Sequence, residues 1–224
     1  AIPARLTNEA TGIVVPIDPS VFATEIERLA LENTRVSLVR ELLDTERALE
    51  LVVDLDLSRE GSNRKLQLLA TGDGGLTVSV VGAGTGNPLD LSRFTGSLRG
   101  RVSSDDIGSI SEFFGADISG TSDLLFWTDA AAGQASTIFE VTGDALFPAS
   151  DAQLPSIFFS VNGAMTLDSK EYRVNVSEAL VTLEGRPVQF NDINVGLTAT
   201  DWEILVNDLD LASSAQLLLE AGLV

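Results

Sequence analysis

Few residues of this sequence have the types and spacing that catalysis or metal binding requires. Cysteine and histidine are both absent from its 224 residues. Their absence excludes thiolate nucleophiles, cysteine-ligated clusters, the usual general base near neutral pH and the commonest zinc ligand. The 33 acidic residues could include a pair suited to glycoside cleavage, but their spacing selects none. We therefore expect no enzyme activity, no catalytic residue, no metal and no cofactor.

Three short patterns look like ligand sites and are better explained as strands and turns. Gly82-Ala83-Gly84-Thr85-Gly86 suggests a phosphate-cradling loop, but Asn87-Pro88 follows instead of a helix, so a flexible hairpin loop is expected. Asp54-Leu55-Asp56-Leu57-Ser58 has the alternating acids of a calcium loop, but Arg59 stands where that loop needs glycine. A solvated strand face explains it better. Ser62-Asn63-Arg64-Lys65 has the serine–lysine spacing of some hydrolases without their partner motifs, and a polar hairpin tip is expected.

Two further features have both a functional and a structural interpretation. Asn175-Val176-Ser177 is a glycosylation sequon that falls in the middle of a predicted strand, so coincidence is the simpler explanation. Trp127 and Trp202 could anchor an interface. We expect both to fill the core instead, because that is the more common use of tryptophan on alternating strands.

Alternation of apolar and polar residues dominates the chain and predicts half-buried antiparallel strands. It is clearest from Ile157 to Leu167, and residues 51–57 and 98–102 show it in the first half. Turns are predicted at Gly72-Asp73-Gly74-Gly75 and at Glu184-Gly185-Arg186-Pro187. This spacing of strands and turns is typical of a meander of hairpins.

Two segments predict short helices, because an acidic residue stands at the start of one and directly before the other, placed to cap the helix or to suit its dipole. They are Asp105 to Phe114 and Leu211 to Ala221. Their similar residue order indicates a weak internal repeat, with units of about 1–115 and 116–224 in one elongated segment. Residues 19–44 fit either a helix or a strand, and a strand is favoured for 26–40.

Charge and hydropathy indicate a folded acidic chain. The net charge is -19, while 44% of the residues are hydrophobic and the mean hydropathy is +0.21, too apolar for a disordered acidic segment. The negative charge repels phosphate backbones, so nucleic acid is not an expected partner. No apolar run is long enough to cross a bilayer as a helix. We interpret the sequence as an excised piece of a longer protein that contacts membranes only through parts outside it, and its oligomeric state is not indicated.

The order of segments resembles the AsmA-like family, the group of bacterial envelope proteins that includes TamB and YhdP. Ile26 to Leu38 is similar to the pattern I-x-x-L-x-L-x-N-x-x-V-x-L of the strand near the start of these proteins. Phe94 to Val102 with the helix at 105–114, and Trp202 to Leu211, resemble their repeating unit. The resemblance implies a periplasmic segment, anchored in the inner membrane in the full-length protein. It further implies a curved open sheet whose apolar groove carries phospholipid acyl chains toward the outer membrane.

The predicted fold is therefore all-β: an elongated, curved antiparallel sheet that forms an open β-groove, with one or two short helices. The groove is predicted to hold or conduct phospholipid acyl chains and so to support outer-membrane lipid homeostasis. The alternative is a non-catalytic structural or interaction β-sandwich of a secreted or surface protein, in which the same side chains fill a closed core. The predicted lipid-facing residues are Ile157, Phe159, Val161, Met165, Leu167, Tyr172, Val174, Val176, Trp202, Ile204 and Val206.

Overall fold

The structure, a computed structural model, describes residues 4–7, 14–17, 27–42, 45–86, 94–114, 117–131, 133–146, 157–168, 171–183, 186–197 and 202–208. Strands make up most of these ranges. In chain order they are β1 (Ala4–Thr7), β2 (Val14–Ile17), β3 (Arg28–Leu42), β4 (Thr45–Glu60), β5 (Asn63–Gly72), β6 (Thr77–Gly86), β7 (Phe94–Ser104), β8 (Ser119–Ala131), β9 (Gln134–Leu146), β10 (Ile157–Asp168), β11 (Glu171–Leu183), β12 (Arg186–Leu197) and β13 (Trp202–Asp208). The described part also contains one α-helix, α1 (Gly108–Phe114), and a 3₁₀ turn at Asp73–Gly75.

The 13 strands form one antiparallel sheet in the order β13-β12-β11-β10-β9-β8-β7-β6-β5-β4-β3-β1-β2. From β3 to β13 each strand pairs with the next one in the chain, as a meander requires. The sheet is curved and open, with β13 and β2 at its two edges. The predicted all-β fold with an open curved sheet is confirmed. The strand favoured over 26–40 is confirmed as well, because β3 begins at Arg28 and continues to Leu42.

The alternation within the strands places an apolar set of side chains on one face of the sheet, which we call the inner face. The pairing register continues this face across the sheet, since Leu57 pairs with Leu66 and Phe126 with Phe139. Within the described residues no second sheet covers it, yet Leu57 and Leu66 are only 4% and 6% exposed. Such burial in a single sheet requires the sheet to curl around its inner face. The opposite face is called the outer face.

The large buried side chains lie on β3 to β7 and on α1. They form three clusters on the inner face, one toward each end of the strands and one between them. The first consists of Leu57, Leu66, Phe94, Leu98, Ala130 and Ala135, the second of Val36, Val53 and Ala70, and the third of Leu49, Leu76 and Phe113. This half of the sheet therefore fills its inner face with its own side chains.

Helix α1 is attached to the 3₁₀ turn by backbone hydrogen bonds. The carbonyl of Gly74 accepts from the N–H groups of Asp105 and Asp106 at 3.0 and 2.8 Å. Gly74 has a φ of 68°, which favours glycine, and a Cβ there would collide with the Asp106 carbonyl. The Asp106 carboxylate in turn accepts from the Gly108 N–H at 2.9 Å. The predicted turn is confirmed, and so is the predicted helix, although it begins at Gly108 and not at Asp105. The helix predicted at Leu211 to Ala221 lies outside the described residues.

In the described part of the chain, no helix combines the length and the apolar character that a membrane crossing needs.

Phe113 is the side chain through which α1 joins the sheet, and it is 2% exposed. We expect Phe113→Ala to lower the free energy of unfolding by about 3–5 kcal/mol, because it leaves a cavity between α1 and β4. Urea denaturation followed by circular dichroism measures this. Phe158→Ala is the control, since Phe158 is 54% exposed; losses of equal size in the two variants would contradict the packing described for α1.

Candidate functional site

The inner face of β8 to β11 is filled differently from that of β3 to β7. Its buried residues are small, such as Ala130, Thr137, Gly143 and Ala179, whereas its large apolar side chains are only half-buried. We call the central part of this half-buried set, between the two ends of the strands, the floor. It consists of Leu124, Phe126, Phe139, Val141, Val161, Met165, Val174 and Val176.

The floor is continuous across the four strands, because its members pair in register. Leu124 pairs with Val141, and Val141 with Val161. On the next strand Met165 pairs with Val174. The apolar surface that this face leaves open is therefore one strip across the strands, not a set of isolated patches.

The predicted lipid-facing residues lie at inner-face positions of β10, β11 and β13. Those with described side chains are half-buried: Ile157, Phe159, Val161, Met165, Leu167, Val174 and Val176. The side chains of Tyr172, Trp202, Ile204 and Val206 lie outside the described residues. Their backbones pair with inner-face positions, Tyr172 with Leu167, Trp202 with Leu197, Ile204 with Val195 and Val206 with Ile193. Contact with lipid stays a prediction for all of them.

Two phenylalanine rings of the floor lie against glycines of the neighbouring strands. Phe126 pairs with Gly100, and a Cβ on Gly100 would fall well inside van der Waals contact with the far edge of the Phe126 ring. Phe139 pairs with Gly163, where a Cβ would be 2.7 Å from the ring's Cζ. Each ring can lie down over a backbone that carries no side chain. The surface of the floor therefore lies closer to the sheet backbone than it would if the two rings pointed straight away from the sheet.

Glycines of β6 and β7 accept side chains in the same way. The Phe94 ring lies over Gly84 and Gly96, with its Cζ 2.6 and 2.7 Å from where their Cβ atoms would be, and the Leu98 side chain lies over Gly82. The hairpin loop predicted for Gly82 to Gly86 is therefore wrong: these residues belong to β6. Glycine is needed here because large side chains from β7 occupy the space above the strand.

Two threonines are the buried polar side chains next to the floor. The hydroxyls of Thr128 and Thr137 are 2.8 Å apart and hydrogen-bond to each other across β8 and β9. Because they satisfy each other, they can be buried in an apolar surface at little cost. They also offer a guest little polar attraction.

Charged residues are divided unequally between the two faces. Among the described side chains of β3 to β12, every Asp and Glu that has a partner in the register lies at an outer-face position; Glu32 lies in the bulge of β3 and has none. Outer-face pairs include Arg28–Asp56 at 2.8 Å and Arg101–Asp123 at 2.6 Å. The inner face carries arginine alone among the described charged side chains: Arg47, Arg59 and Arg64.

The Arg101–Asp123 pair is bidentate, with Nε of the arginine 2.8 Å from Oδ1 and Nη2 2.6 Å from Oδ2. This hydrogen bonding from Arg101 lowers the pKa of Asp123, an effect that partial burial of the carboxyl opposes. Coulomb attraction to the guanidinium adds to the lowering. The pair thus helps to hold β7 and β8 in register on the outer face.

An exposed apolar row crosses the outer face. Val81 of β6, Trp127 of β8 and Ile138 of β9 occupy one register row, with Arg99 of β7 between the first two. Trp127 is 43% and Ile138 61% exposed. The prediction that Trp127 fills the core is therefore wrong, while the side chain of Trp202 lies outside the described residues.

The other sequence patterns occupy ordinary structural positions. Asp54 and Asp56 lie on the outer face of β4, as the strand interpretation predicted. There Asp54 accepts from the Asn33 N–H at 2.7 Å. Of the hairpin tip predicted at Ser62 to Lys65, Ser62 lies in the turn with Gly61, but the other three residues belong to β5, so the prediction is wrong for them. In the described part no group of three potential metal ligands occurs.

Asn175, the asparagine of the sequon, lies inside β11, as predicted, and its side-chain amide donates to Asn194 on β12 at 2.8 Å.

Three cavities against the described residues have volumes of about 440, 370 and 360 Å³. Their polar lining comes mainly from outer-face positions, such as Asp129 and Arg173 in the largest. They are open surface depressions without convergent catalytic groups. The floor is likewise an open surface, not an enclosed pocket.

No family model, no curated protein and no solved structure matches the chain.

The contact between Gly100 and Phe126 can be tested by a double-mutant cycle. Gly100→Ala should destabilise the sheet by about 1–3 kcal/mol, because the new methyl group displaces the ring. In a Phe126→Leu background the penalty should shrink, since leucine lacks the ring atoms that the methyl group meets. Urea unfolding of the four proteins gives the coupling energy; strictly additive losses would show that the ring does not depend on the glycine.

The lowered pKa of Asp123 makes its contribution pH-dependent. A carboxyl whose pKa is lower in the folded state stabilises the fold fully above its ordinary pKa of about 4 and loses that effect as the pH falls through the folded value. The stability difference between wild type and Asp123→Asn should therefore be constant near neutrality and shrink below about pH 4. Denaturant titrations across this range measure it. The control is the same comparison in an Arg101→Gln background, where a persistent pH-dependent difference would assign the effect to another group.

Proposed function

We propose that this chain holds or conducts acyl chains of phospholipids along the inner face of its open sheet. The observation that carries the proposal is the floor, a strip of large half-buried apolar side chains that no second layer covers within the described residues. A guest that covers this strip gains about 0.8 kcal/mol for each methylene removed from water. Contact with about ten methylenes therefore contributes about 8 kcal/mol, which corresponds to micromolar affinity before the entropy cost of binding.

The chemistry of the floor favours hydrocarbon over peptide as the guest. The backbone N–H and C=O groups of interior strands pair within the sheet, and Thr128 and Thr137 pair with each other. An extended peptide on this face would leave its own backbone groups without partners, which is costly away from water. A hydrocarbon chain has no such groups.

The flat geometry of the rings supports a guest that slides. Phe126 and Phe139 lie over glycines, so no aromatic ring needs to stand upright across the strip. Translation of an acyl chain along the strip exchanges one set of apolar contacts for a similar set. Barriers to movement are low where successive contacts are alike.

The β-sandwich alternative would need a second sheet packed on the inner face. In the described part of the chain all strands belong to a single sheet. The interaction-module version of the alternative predicts that the floor binds protein and retains no lipid after purification.

The cellular setting of the proposal comes from the resemblance to the AsmA-like family. On that basis the chain is a periplasmic segment of an envelope protein, anchored in the inner membrane through another part of the full-length protein. Its role would be to support the lipid homeostasis of the outer membrane. The fold is of the kind that this role requires, since a curved open sheet offers a continuous apolar path.

Native mass spectrometry and lipid extraction of protein exported to the periplasm of a bacterium test the proposal. We expect bound phospholipid in the wild type. Val161→Trp places a large side chain on the floor and should lower occupancy about tenfold, because losing contact with two methylenes costs about 1.6 kcal/mol.

Ser160→Trp is the matched control, since Ser160 is the adjacent residue and occupies the outer face. Its lipid content should equal that of the wild type. Lipid-free wild-type protein that is folded by circular dichroism, or equal loss in both variants, would overturn the proposal.

A further inference from the structure

The exposed apolar row of the outer face contains two large side chains that lie side by side. Trp127 and Ile138 are directly paired in the register of β8 and β9, and they are 43% and 61% exposed. The next residue in the row is Ala164 on β10, whose small side chain leaves room beside the isoleucine. Single exposed apolar residues are common, but two large ones in register form a patch whose exposure to water is unfavourable. We call Trp127 and Ile138 the outer patch.

Two carboxylates flank the outer patch along the strands. Asp129 lies two residues after Trp127 on β8, and Glu140 lies two residues after Ile138 on β9. Because the two strands are antiparallel, the carboxylates lie on opposite sides of the patch, about 14 Å apart at the rise of a strand. Both side chains are exposed, and no ion pair or side-chain hydrogen bond joins either one to another described residue. The patch is thus an apolar centre between two negative charges.

The acidic character is confined to one part of the outer face. From β8 to β11 every described charged side chain at an outer-face position is acidic except Arg173. The acids are Asp123, Asp129, Glu140, Asp144 and Glu178. From β5 to β7 the outer face carries only cations, Lys65, Arg99 and Arg101. Charge complementarity therefore favours a positively charged partner that lies over β8 to β10 and avoids β7.

A helix is the form of partner that suits this surface. The backbone of the interior strands pairs within the sheet, so an extended segment lying on the face would leave its own backbone groups without partners. A helix satisfies its own backbone, and about nine helical residues span the same 14 Å. An apolar stripe over Trp127 and Ile138 can therefore place a lysine or arginine near each carboxylate.

A second copy of the chain does not have this complementarity. Its outer patch carries the same two carboxylates, and the net charge of -19 opposes the approach of two copies. An anionic membrane surface is repelled by the same acids. The partner must supply the positive charge that this part of the chain lacks.

We propose that Trp127 and Ile138, together with Asp129 and Glu140, form a docking surface for a basic amphipathic helix of a partner protein. The outer patch binds the apolar stripe of the helix, and the carboxylates pair with its lysine or arginine side chains. The inference goes beyond the proposed function, because the surface lies on the opposite face of the sheet and needs no lipid. The sheet can then bind a protein on one face while the other holds an acyl chain.

Two synthetic amphipathic helices of about 18 residues test the surface. One has leucine on one face and lysine on the other, and the second has glutamate in place of every lysine. The protein is the Trp202→Phe variant, which keeps Trp127 as its single tryptophan. We expect the lysine peptide to bind and to shift the fluorescence of Trp127 to shorter wavelength, more weakly as salt is raised. The glutamate peptide should not bind, and equal binding of both peptides would overturn the proposal.

Variants separate the outer patch from the general negative charge of the chain. We expect Ile138→Ser to weaken binding of the lysine peptide about tenfold. Asp129→Asn/Glu140→Gln should weaken it about fivefold, since two exposed ion pairs are lost. The matched control is Glu32→Gln/Asp73→Asn, which removes two exposed acids elsewhere and has the same net charge. The control should bind like its parent, and equal weakening in the two double variants would show that net charge alone attracts the peptide.

Other occupants of the outer patch give different results, each of which would overturn the proposal. A dimer in sedimentation experiments that Ile138→Ser abolishes would assign the patch to a second copy. A fluorescence shift of Trp127 with phosphatidylcholine vesicles, larger than that with the lysine peptide, would assign it to a membrane. Calorimetry with Val161→Trp tests the opposite face: unchanged affinity for the lysine peptide is expected, and its loss would mean that the peptide binds the floor. Circular dichroism melting verifies that each variant is folded.

Discussion

The hydrogen-bonded pairing of long strands in one unbroken order is the interaction on which the rest of the structure depends. Pairing within the sheet satisfies the backbone of interior strands, so each face of the sheet presents side chains only. A sheet of this kind must still remove its apolar face from water without a second layer. The half from β3 to β7 does so with its own large side chains and α1. The half from β8 to β11 does so only in part.

Glycine explains how both halves tolerate curvature. Side chains on the inside of a curved sheet are crowded, and a pair of large residues at every position would force it flat. At Gly84 and Gly100 the missing Cβ makes room for a phenylalanine ring from the next strand. The ring covers the exposed backbone while the strand keeps its place in the sheet. The inner face thus keeps its aromatic surface, while the rings lie flat and leave the space above the sheet open.

Most of the fold could be predicted from the sequence because period two is a local signal. From Ile157 to Leu167 every second residue is apolar except Gly163, and the structure has β10 there. The acidic cap of α1 was equally local, since Asp106 binds the Gly108 N–H two residues away. The hairpin loop predicted for Gly82 to Gly86 is wrong for a non-local reason. The glycines of this segment make room for Phe94 and Leu98, which belong to the next strand. A glycine run carries no local sign of the side chains that will cover it.

The sequence predicts which positions of β10 and β11 lie on the apolar face, but it does not predict which face Trp127 and Arg64 take. Trp127 follows Leu124-Leu125-Phe126, a run that is apolar at every position, so alternation could not tell which face the tryptophan would take. The inner-face position of Arg64 was overlooked although a signal existed. It lies two residues before Leu66 and four before Leu68, in phase with the apolar set. Attention to charged residues in phase with an apolar face would have found it.

An open apolar strip promotes self-association in water, and the charge distribution of the chain opposes it. Two copies of the chain could bury their floors against each other, or stack through the exposed row around Trp127. A net charge of -19, with the described strand acids on the outer face, makes such approach unfavourable at moderate salt. It also leaves the described inner-face register positions without carboxylates, which a guest of the proposed kind would otherwise have to cover and remove from water. Repulsion between copies and access for the proposed guest thus follow from the same division of charge between the two faces.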